Sequence, residues 1–310
     1  MSTMWFAFEV TERCNLDCEF CYNVWLEKNT VAHSELSLNN IEKVLCNISK
    51  APGAMGVTVT GGEPLLRGDI PEIVRLCSRA GLKTALATNG TLLTRKVIKE
   101  LTGSGVQHFD IGFTDPSEET RLGLTAAVKS GCTVTASICV HNNNYERTGI
   151  LTEIAAALGA DAISLNRFVP TGRGKHHLQS LQLNNKNLLT ALELANSTAI
   201  TAGIYIYTGI PVEPCIASST EFPGIVFSTC QCGRTKWAIN PSGNLRTCEQ
   251  NTEVLGNLLK NSFTEIISRN AGTIKKFREW RQSEKCFPCT LPGDCRGGCR
   301  FAIRTSAHAL

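Results

Sequence analysis

The segment from residue 5 to residue 21 reads WFAFEVTERCNLDCEFC, an apolar run followed by three closely spaced cysteines. The run Trp5–Val10 is aromatic and apolar, which is typical of a buried strand. The loop after it presents three thiols with the spacing Cys14-x3-Cys18-x2-Cys21. Three thiolates on one loop can hold three irons of a [4Fe–4S] cube and leave the fourth iron open. A structural zinc site is the alternative, but zinc takes four ligands and no fourth ligand lies nearby in the sequence.

Beyond this loop, short β-rich runs alternate with longer helical patterns as far as about residue 168. This alternation predicts βαβ units around a parallel sheet. Six units fit a partial barrel better than a closed eight-stranded one, and the active site of such a fold lies at the carboxyl ends of the strands. The predicted strands are Trp5–Val10, Val57–Thr60, Thr84–Thr88, His108–Phe113, Thr133–Val140 and Ala162–Asn166. The predicted helices are Leu38–Ser49, Ile70–Ala80, Lys96–Thr102, Glu118–Ser130 and Asn144–Leu158, followed by a bridging helix at Leu178–Thr201.

The chain contains fifteen cysteines, which is an unusual number for its length. Its amino-terminal residues show no signal-peptide pattern, and it has no run of about 18 apolar residues that could span a membrane. We therefore expect a cytoplasmic protein, in which clustered cysteines are metal ligands more often than disulfides. Four cysteines stand alone in apolar segments, and we expect them to be small buried side chains. They are Cys46, Cys77, Cys132 and Cys139.

The cysteine spacing after the first strand resembles the signature of the radical S-adenosylmethionine (SAM) superfamily, and two later strand ends agree with it. These are TGGEP at residues 60–64 and ATNG at residues 87–90. Glycines allow a close approach of the backbone to a ligand, and a carboxylate in GGEP suits an ammonium group. By this resemblance, Cys14, Cys18 and Cys21 are the catalytic residues and hold a [4Fe–4S] cluster whose open iron binds SAM. One-electron reduction would then cleave SAM to a 5′-deoxyadenosyl radical that abstracts a substrate hydrogen.

The resemblance and the positions of the strand ends also predict which residues contact SAM. Phe20 matches the aromatic position that precedes the last cysteine of the family signature. Thr114, Asn142 and Arg167 are candidates because they lie at the ends of the fourth, fifth and sixth predicted strands. The complete predicted set is Phe20, Gly61, Gly62, Glu63, Pro64, Asn89, Thr114, Asn142 and Arg167.

The last third of the chain carries a second cysteine group that resembles the SPASM extension of radical SAM enzymes, which typically holds two auxiliary [4Fe–4S] clusters. Its spacing is Cys232-x10-Gly243-x4-Cys248, followed by Cys286-x2-Cys289-x5-Cys295-x3-Cys299. The resemblance assigns Cys232, Cys248 and Cys299 to the first auxiliary cluster. The second auxiliary cluster would be held by Cys286, Cys289 and Cys295.

The last cysteine of the family pattern is missing from this chain, so the number of auxiliary clusters is open. Cys215 and Cys230 are two additional cysteines, and either would complete the first cluster. The other one, His308 or no residue would then complete the second cluster. A twitch-like arrangement with a single auxiliary cluster is the alternative, and the last four cysteines taken alone also fit a zinc ribbon.

The predicted fold class is therefore α/β, a partial (β/α)6 barrel of the radical SAM type with a small carboxyl-terminal iron–sulfur cluster domain of the SPASM or twitch kind. We assign residues 1–204 to the barrel with its bridging helix, and residues 205–310 to the auxiliary cluster domain. Within the second part, NPSGNLRTC at residues 240–248 predicts a hairpin that turns at Ser-Gly.

Enzymes with both signatures mostly modify peptides, so the resemblance implies a peptide maturase of oxidoreductase or lyase type. Its substrate would be a ribosomally made precursor peptide that is crosslinked, epimerised or rearranged in its backbone. Because the first strand begins at residue 5, we expect no leader-binding domain on this chain and a separate leader-peptide-binding protein as a partner. A flavodoxin or ferredoxin would supply electrons, and we expect neither a nucleic-acid nor a membrane partner.

Two other classes of protein are alternatives. A radical SAM enzyme could act on a small molecule, as a dehydrogenase or in cofactor maturation. A non-enzymatic iron–sulfur scaffold is the weaker alternative, because a scaffold has no need of an open three-cysteine site beside GGEP.

Overall fold

Six parallel strands lie side by side in chain order and form the centre of one sheet. The computed structural model describes residues 3–27, 35–279, 286, 289, 295 and 297–302. The strands are β1 (Met4–Glu9), β2 (Ala54–Thr60), β3 (Lys83–Thr88), β4 (Val106–Gly112), β5 (Thr133–Val140) and β6 (Ala162–Arg167). The helices between them are α1 (Leu38–Ser49), α2 (Ile70–Arg79), α3 (Arg95–Ser104), α4 (Glu118–Val128) and α5 (Thr148–Ala157). This βα alternation confirms the predicted fold class.

The two faces of these strands differ in polarity. On β5, Val134, Ala136 and Ile138 are fully buried, and the strand contacts α4 and α5. The alternate residues Ser137 and Cys139 point to the opposite face and are only half-buried. A parallel sheet that is covered on both faces is normally apolar throughout. The inner face of β5 is therefore more polar and less tightly packed than the face that the helices cover.

Side-chain caps determine where several helices begin. Ser37, Thr94 and Ser117 each accept a hydrogen bond from the backbone N–H of the third residue after them, at the starts of α1, α3 and α4. Such a cap satisfies one of the unpaired N–H groups of the first helical turn. Each cap also ends a loop that follows a strand, so the loops at the carboxyl edge of the sheet have defined ends.

The sheet continues beyond the six predicted strands at both edges. On one side, β7 (Tyr205–Thr208) and β8 (Ile225–Val226) extend it in parallel from β6. On the other side, β9 (Lys236–Ile239) pairs in parallel with β1, and β10 (Asn244–Arg246) and β11 (Gly256–Asn257) follow antiparallel. The hairpin predicted at residues 240–248 is therefore present between β9 and β10, with Gly243 in the turn at φ +79°. Backbone hydrogen bonds thus join both parts of the chain, and the division after residue 204 stays a prediction.

The predicted bridging helix is two helices, α6 (Leu178–Leu181) and α7 (Asn185–Ala202). The break occurs because Asn184 adopts an extended backbone and caps α7, accepting from the Asn187 N–H at 2.8 Å. Two further helices, α8 (Phe263–Arg269) and α9 (Ala271–Arg278), follow the hairpin. No helix in the described part of the chain is long and apolar enough to cross a membrane.

The four isolated cysteines differ in burial. Cys77 on α2 is fully buried, as predicted. Cys46 is exposed, so the prediction is wrong there, because the buried stripe of α1 runs through Ile41, Val44, Leu45 and Ile48 and misses it. Cys132 and Cys139 are half-buried.

Candidate active site

The loop after β1 holds its three cysteines on one short turn, in which the Cys21 N–H donates to the Cys18 carbonyl at 3.2 Å. Cys14 is exposed, and Cys18 and Cys21 are half-buried. Burial, and then the neighbouring Cys21 and Cys14 thiolates, raise the pKa of Cys18 to about 11. The three groups are therefore close enough to repel one another as thiolates, and cationic iron would remove that repulsion. The donor set fits an iron–sulfur cluster with one open iron.

A segment after β6 supports this loop from the other side. The Gly174 N–H donates to the Cys21 carbonyl at 3.0 Å. Arg173 donates to the Cys18 carbonyl at 3.4 Å and forms an ion pair with Asp17. The cysteine loop is thus braced through its backbone, which leaves the thiols free to bind metal.

Glu63 of GGEP is completely buried and joins the ends of β2 and β3. Its carboxylate accepts from the Thr88 hydroxyl at 2.8 Å, from the Asn89 N–H at 2.8 Å and from the Leu65 N–H at 3.0 Å. Burial raises the pKa of Glu63, and these three hydrogen bonds oppose the rise. Pro64 begins the short 3-10 turn that Glu63 caps. The carboxylate predicted to meet an ammonium group therefore also fixes the shape of the sheet edge.

The two glycines of GGEP let β2 lie directly against the cysteine loop. The Gly62 N–H donates to the Thr11 carbonyl at 2.9 Å, and a Cβ at Gly62 would overlap the Arg13 carbonyl. A Cβ at Gly61 would overlap the Thr11 carbonyl. The close partner of both glycines is therefore the backbone that leads into Cys14, and their predicted approach to a ligand stays a prediction.

Asn89 of ATNG links the three motifs through hydrogen bonds. Its backbone N–H binds Glu63, and its side-chain amide donates to the Asn15 side chain at 2.8 Å. Asn15 in turn donates to Thr91 at 2.9 Å and directly follows Cys14. The cysteine triplet, GGEP and ATNG therefore meet at one edge of the sheet.

A pair of stacked rings borders the same edge. The rings of Phe20 and His141 lie 5.6 Å apart with an interplanar angle of 22°. Burial lowers the pKa of His141, which favours the neutral ring, and Nδ1 accepts from the Asn143 N–H at 3.3 Å. Nε2 therefore carries the hydrogen, is buried and has no hydrogen-bond partner among the described residues. His141 was not among the predicted site residues, although its place directly after β5 was a usable signal.

Three predicted SAM contacts make hydrogen bonds within the protein. Thr114 accepts from the Cys139 N–H at 2.8 Å. Asn142 accepts from the Asn187 side chain of α7 at 2.8 Å. Arg167 pairs with Glu213, with distances of 2.8 and 3.1 Å. The role of these residues toward SAM stays a prediction.

Four cysteines from three separate segments come together beside the β9–β10 hairpin. The sulfur atoms of Cys232 and Cys248 lie within 4.8 Å of each other and of a Glu249 carboxylate oxygen. Hydrogen bonds with Cys230 and Cys248 raise the pKa of Cys232. Burial, and then the neighbouring Cys248 thiolate, raise the pKa of Cys299 to about 12. Their mutual interactions make these four thiols the candidate ligands of one auxiliary [4Fe–4S] cluster.

The positions of these thiols favour Cys230 over Cys215 as the fourth ligand of the first auxiliary cluster. Cys230 lies with Cys232, whereas Cys215 is exposed. For the second predicted cluster, Cys286 and Cys295 are half-buried and Cys289 is exposed. His308 lies outside the described residues. The ligand sets of both auxiliary clusters stay predictions.

Two ion pairs flank the four-cysteine group. Lys236 lies 2.9 Å from Glu249, the residue after Cys248. Arg246 forms a buried ion pair with Glu9 of β1 and donates to the Glu249 carbonyl at 3.1 Å. The strand that leads to the cysteine triplet is thus tied to the strand that leads to Cys248.

The inner face of the barrel carries further polar groups. Asp110 on β4 accepts from the Ser137 hydroxyl on β5 at 2.5 Å, and burial raises the pKa of Asp110. Trp5 on β1 donates to the Thr58 hydroxyl on β2 at 2.7 Å. These hydrogen bonds hold neighbouring strands together on the inner face of the sheet.

Comparison with known proteins gives two family matches. The radical SAM superfamily model matches residues 8–179, which is more than half of the chain. The model of the iron–sulfur cluster-binding domain SPASM matches residues 230–290. A radical SAM domain implies a [4Fe–4S] cluster and SAM, and a SPASM domain implies auxiliary clusters, which confirms the predicted cofactors.

Individual proteins show the same likeness over nearly the whole chain. An AdoMet-dependent heme synthase from Methanosarcina barkeri is 27% identical over 323 residues, which covers 95% of this chain and 90% of the synthase. A PqqA peptide cyclase from Streptomyces rochei is 25% identical over 309 residues, which covers 94% of this chain and 83% of the cyclase. SuiB of Streptococcus suis, in a crystal structure with its precursor peptide SuiA, shares the fold with a TM-score of 0.77 and 18% identity, over 99% of this chain and 76% of SuiB. With the triplet, GGEP and ATNG meeting at one sheet edge, the chain belongs to the radical SAM superfamily and carries a SPASM iron–sulfur cluster-binding domain.

Proposed function

We propose that this radical SAM enzyme modifies a ribosomally made precursor peptide by hydrogen abstraction, forming a crosslink, an epimerised centre or a rearranged backbone. The observation that carries the proposal is the open three-cysteine loop beside the polar interior of the barrel. Relatives named as PqqA peptide cyclases and the fold shared with SuiB support a peptide as the substrate. The reaction would be of oxidoreductase or lyase type.

At the triplet edge, some residues would bind the catalytic cluster and others would hold the cysteine loop in position. Cys14, Cys18 and Cys21 would hold the catalytic cluster, which together with SAM supplies one-electron chemistry when bound. Glu63 and Asn89 keep the cysteine loop and the neighbouring strand ends in register through the hydrogen bonds described above. This rigidity orients the bound groups, which is the contribution of the protein to cofactor chemistry.

The stacked rings would exclude water from the reacting centre, and the inner face of the barrel would orient the substrate. The stacked rings of Phe20 and His141 form a flat wall beside the cysteine loop, which helps to keep water from the reacting centre. Asp110 and Ser137 offer a carboxyl and a hydroxyl to polar groups of a substrate in the barrel. An oriented substrate loses less entropy on reaching the reactive geometry.

Partners and location form part of the same proposal. A flavodoxin or ferredoxin would deliver the electron, and a separate small protein would bind the leader peptide. A cytoplasmic location fits, because cluster cysteines have to be reduced thiols. A pull-down of precursor peptide with and without candidate leader-binding proteins tests the partner, and tight binding by this chain alone would refute the need for one.

The activity is tested with anaerobically reconstituted protein, SAM and dithionite. Candidate precursor peptides should increase the formation of 5′-deoxyadenosine and change mass or fragmentation in mass spectrometry. The variant in which Cys14, Cys18 and Cys21 are all alanine is the control and should do neither. A peptide set that leaves both readouts unchanged, while another class of substrate raises them, would overturn the proposal.

A second candidate function follows from the heme synthases among the relatives. Three of them, from different organisms, are 25–27% identical and each covers 95% of this chain. If the chain acts on a haem precursor, a porphyrin rather than a peptide should stimulate 5′-deoxyadenosine formation. The same assay with both classes of compound therefore separates the two candidates.

A further inference from the structure

Arg167 and Glu213 form a buried ion pair at the carboxyl end of β6. The guanidinium donates through both terminal nitrogens, at 2.8 and 3.1 Å, to the two carboxylate oxygens. The side chain of Arg167 is 8% exposed and that of Glu213 is 0% exposed. Two parallel hydrogen bonds fix the relative orientation of the partners, so the carboxylate cannot rotate freely.

The other face of this carboxylate touches the segment that ends in Cys299. Gly298 lies against Glu213 so closely that a Cβ at Gly298 would be 2.6 Å from the Glu213 carboxyl carbon and from one of its oxygens. Gly298 also has φ +78°, a conformation that residues with a side chain rarely adopt. Its N–H donates to the Cys295 carbonyl at 2.8 Å. The backbone at Gly298, directly before Cys299, thus packs against the carboxylate of the ion pair.

An apolar contact beside the pair holds the same segment. Val169, Cys299 and Ala302 form a small buried cluster, against which Ile210 packs. Val169 and Ile210 flank Arg167 and Glu213 in the sequence. The segment 297–302 is therefore docked on the end of the barrel by polar and apolar contacts together.

We propose that the Arg167–Glu213 pair positions the first auxiliary cluster, by holding Gly298 so that the Cys299 thiol faces Cys230, Cys232 and Cys248. Cys299 reaches this group from a distant part of the sequence, whereas Cys230 and Cys232 share one loop. The direction of the Cys299 side chain consequently depends on the contact that holds the preceding residue, Gly298, against Glu213. The inference rests on the assignment of Cys299 to the auxiliary cluster and is independent of the substrate.

The first test is the variant Gly298→Ala in the full-length, anaerobically reconstituted protein. The added Cβ should displace the segment from Glu213, so the variant should hold about four irons fewer and lose the EPR signal of one auxiliary cluster. SAM cleavage at the triplet should persist. The matched control is Gly272→Ala on α9, where an added Cβ meets nothing within 4 Å, and it should keep all its iron. Full iron content and an unchanged EPR spectrum in Gly298→Ala would overturn the proposal.

A second variant keeps the shape of the site if Gly298→Ala fails to fold. In Glu213→Gln the guanidinium loses its compensating charge beside the cluster, and a nearby uncompensated cation favours the reduced, more negative cluster. The midpoint potential of the auxiliary cluster, followed by EPR, should therefore shift in the positive direction. Glu221→Gln, which changes an exposed carboxylate that binds Ser218, is the control and should leave the potential unchanged. An equal potential in Glu213→Gln and wild type would contradict the proposal.

Discussion

The two cysteine groups differ in how they are built and in what surrounds them. The amino-terminal triplet lies on one continuous loop, and its first cysteine is exposed. The four-cysteine group is assembled from three segments, and Cys248 and Cys299 are buried. A site made by one exposed loop can admit a ligand to an open iron, whereas four thiols that all bind one cluster, as predicted for the second group, would leave no iron position free. The difference suits a catalytic cluster in the first case and an auxiliary cluster in the second.

The ion pairs near the two groups follow the same division. Beside the triplet, Arg13 pairs with Glu35 at 2.9 Å, with side chains that are 55% and 28% exposed. Beside the four-cysteine group, Arg246 pairs with Glu9, and both side chains are almost completely buried. Exposed pairs contribute little to stability, but a buried pair is costly to break. The closed site should therefore depend far more on its surroundings than the open one.

The largest expected effect comes from removing the triplet. Changing Cys14, Cys18 and Cys21 together to alanine should abolish SAM cleavage and remove about four irons, because each cube holds four. Iron and sulfide counting with EPR measures this. About twelve irons in wild type and eight in the variant would mean two auxiliary clusters, and about eight and four would mean one. If the variant loses no iron and still cleaves SAM, the assignment of the open site is wrong.

The ion pairs give the next largest effect. Arg246→Met should lower the free energy of unfolding by about 3–5 kcal/mol, because it leaves the buried Glu9 without its partner. Arg13→Met should lower it by at most about 1 kcal/mol, because that pair is exposed. Anaerobic urea unfolding of both reconstituted variants measures the difference. Equal losses of unfolding free energy in the two variants would contradict the expected difference between the buried and the exposed ion pair.

A smaller effect is expected at GGEP. In Glu63→Gln, a side-chain amide N–H₂ would face the Asn89 N–H or the Leu65 N–H, so one buried donor loses its acceptor. The expected cost is about 1–3 kcal/mol of unfolding free energy, together with weaker SAM binding in calorimetry. Glu72→Gln on the surface of α2 is the matched control and should change stability by less than about 1 kcal/mol. A Glu63→Gln variant that resembles this control would show that the sheet edge does not depend on the carboxylate.

The smallest effect concerns thiol reactivity in the metal-free protein. Burial raises the pKa of both Cys18 and Cys299, and Cys299 is buried whereas Cys18 is half-buried. Iodoacetamide should therefore modify Cys18 faster than Cys299 at pH 8, and both rates should rise with pH, because the thiolate is the reacting form. Peptide mass spectrometry over a time course measures the rates, with the exposed Cys46 as the fast reference. Similar rates at the two sites would mean that the second group is as open as the first.

The barrel strands and the triplet were predictable because their signals are local. Strand–helix alternation predicts the six strands. The close spacing of the three cysteines is enough to place them on one loop. The parallel pairings of β7, β8 and β9 were harder to predict, because these strands have two to four residues and β9 pairs with the distant β1. Short segments carry too little periodicity to indicate a strand.

The details of both sites depend on tertiary contacts that spacing does not reveal. Whether Cys215 or Cys230 joins the auxiliary group depends on where the β9–β10 hairpin brings Cys232 and Cys248. Likewise, the position of Arg167 at a strand end does not show that Glu213 lies beside it. A single sequence shows that such residues are polar and well placed, but their partners lie far away along the chain.

The pairing of β1 with β9 has a consequence for folding during synthesis. Trp5 pairs with Lys236, so the strand that leads to the triplet keeps one unpaired edge until the ribosome has made most of the chain. Pairings between such distant segments form slowly, and exposed strand edges favour aggregation of the nascent chain. Slower translation before residue 236 should therefore lower the yield of soluble protein.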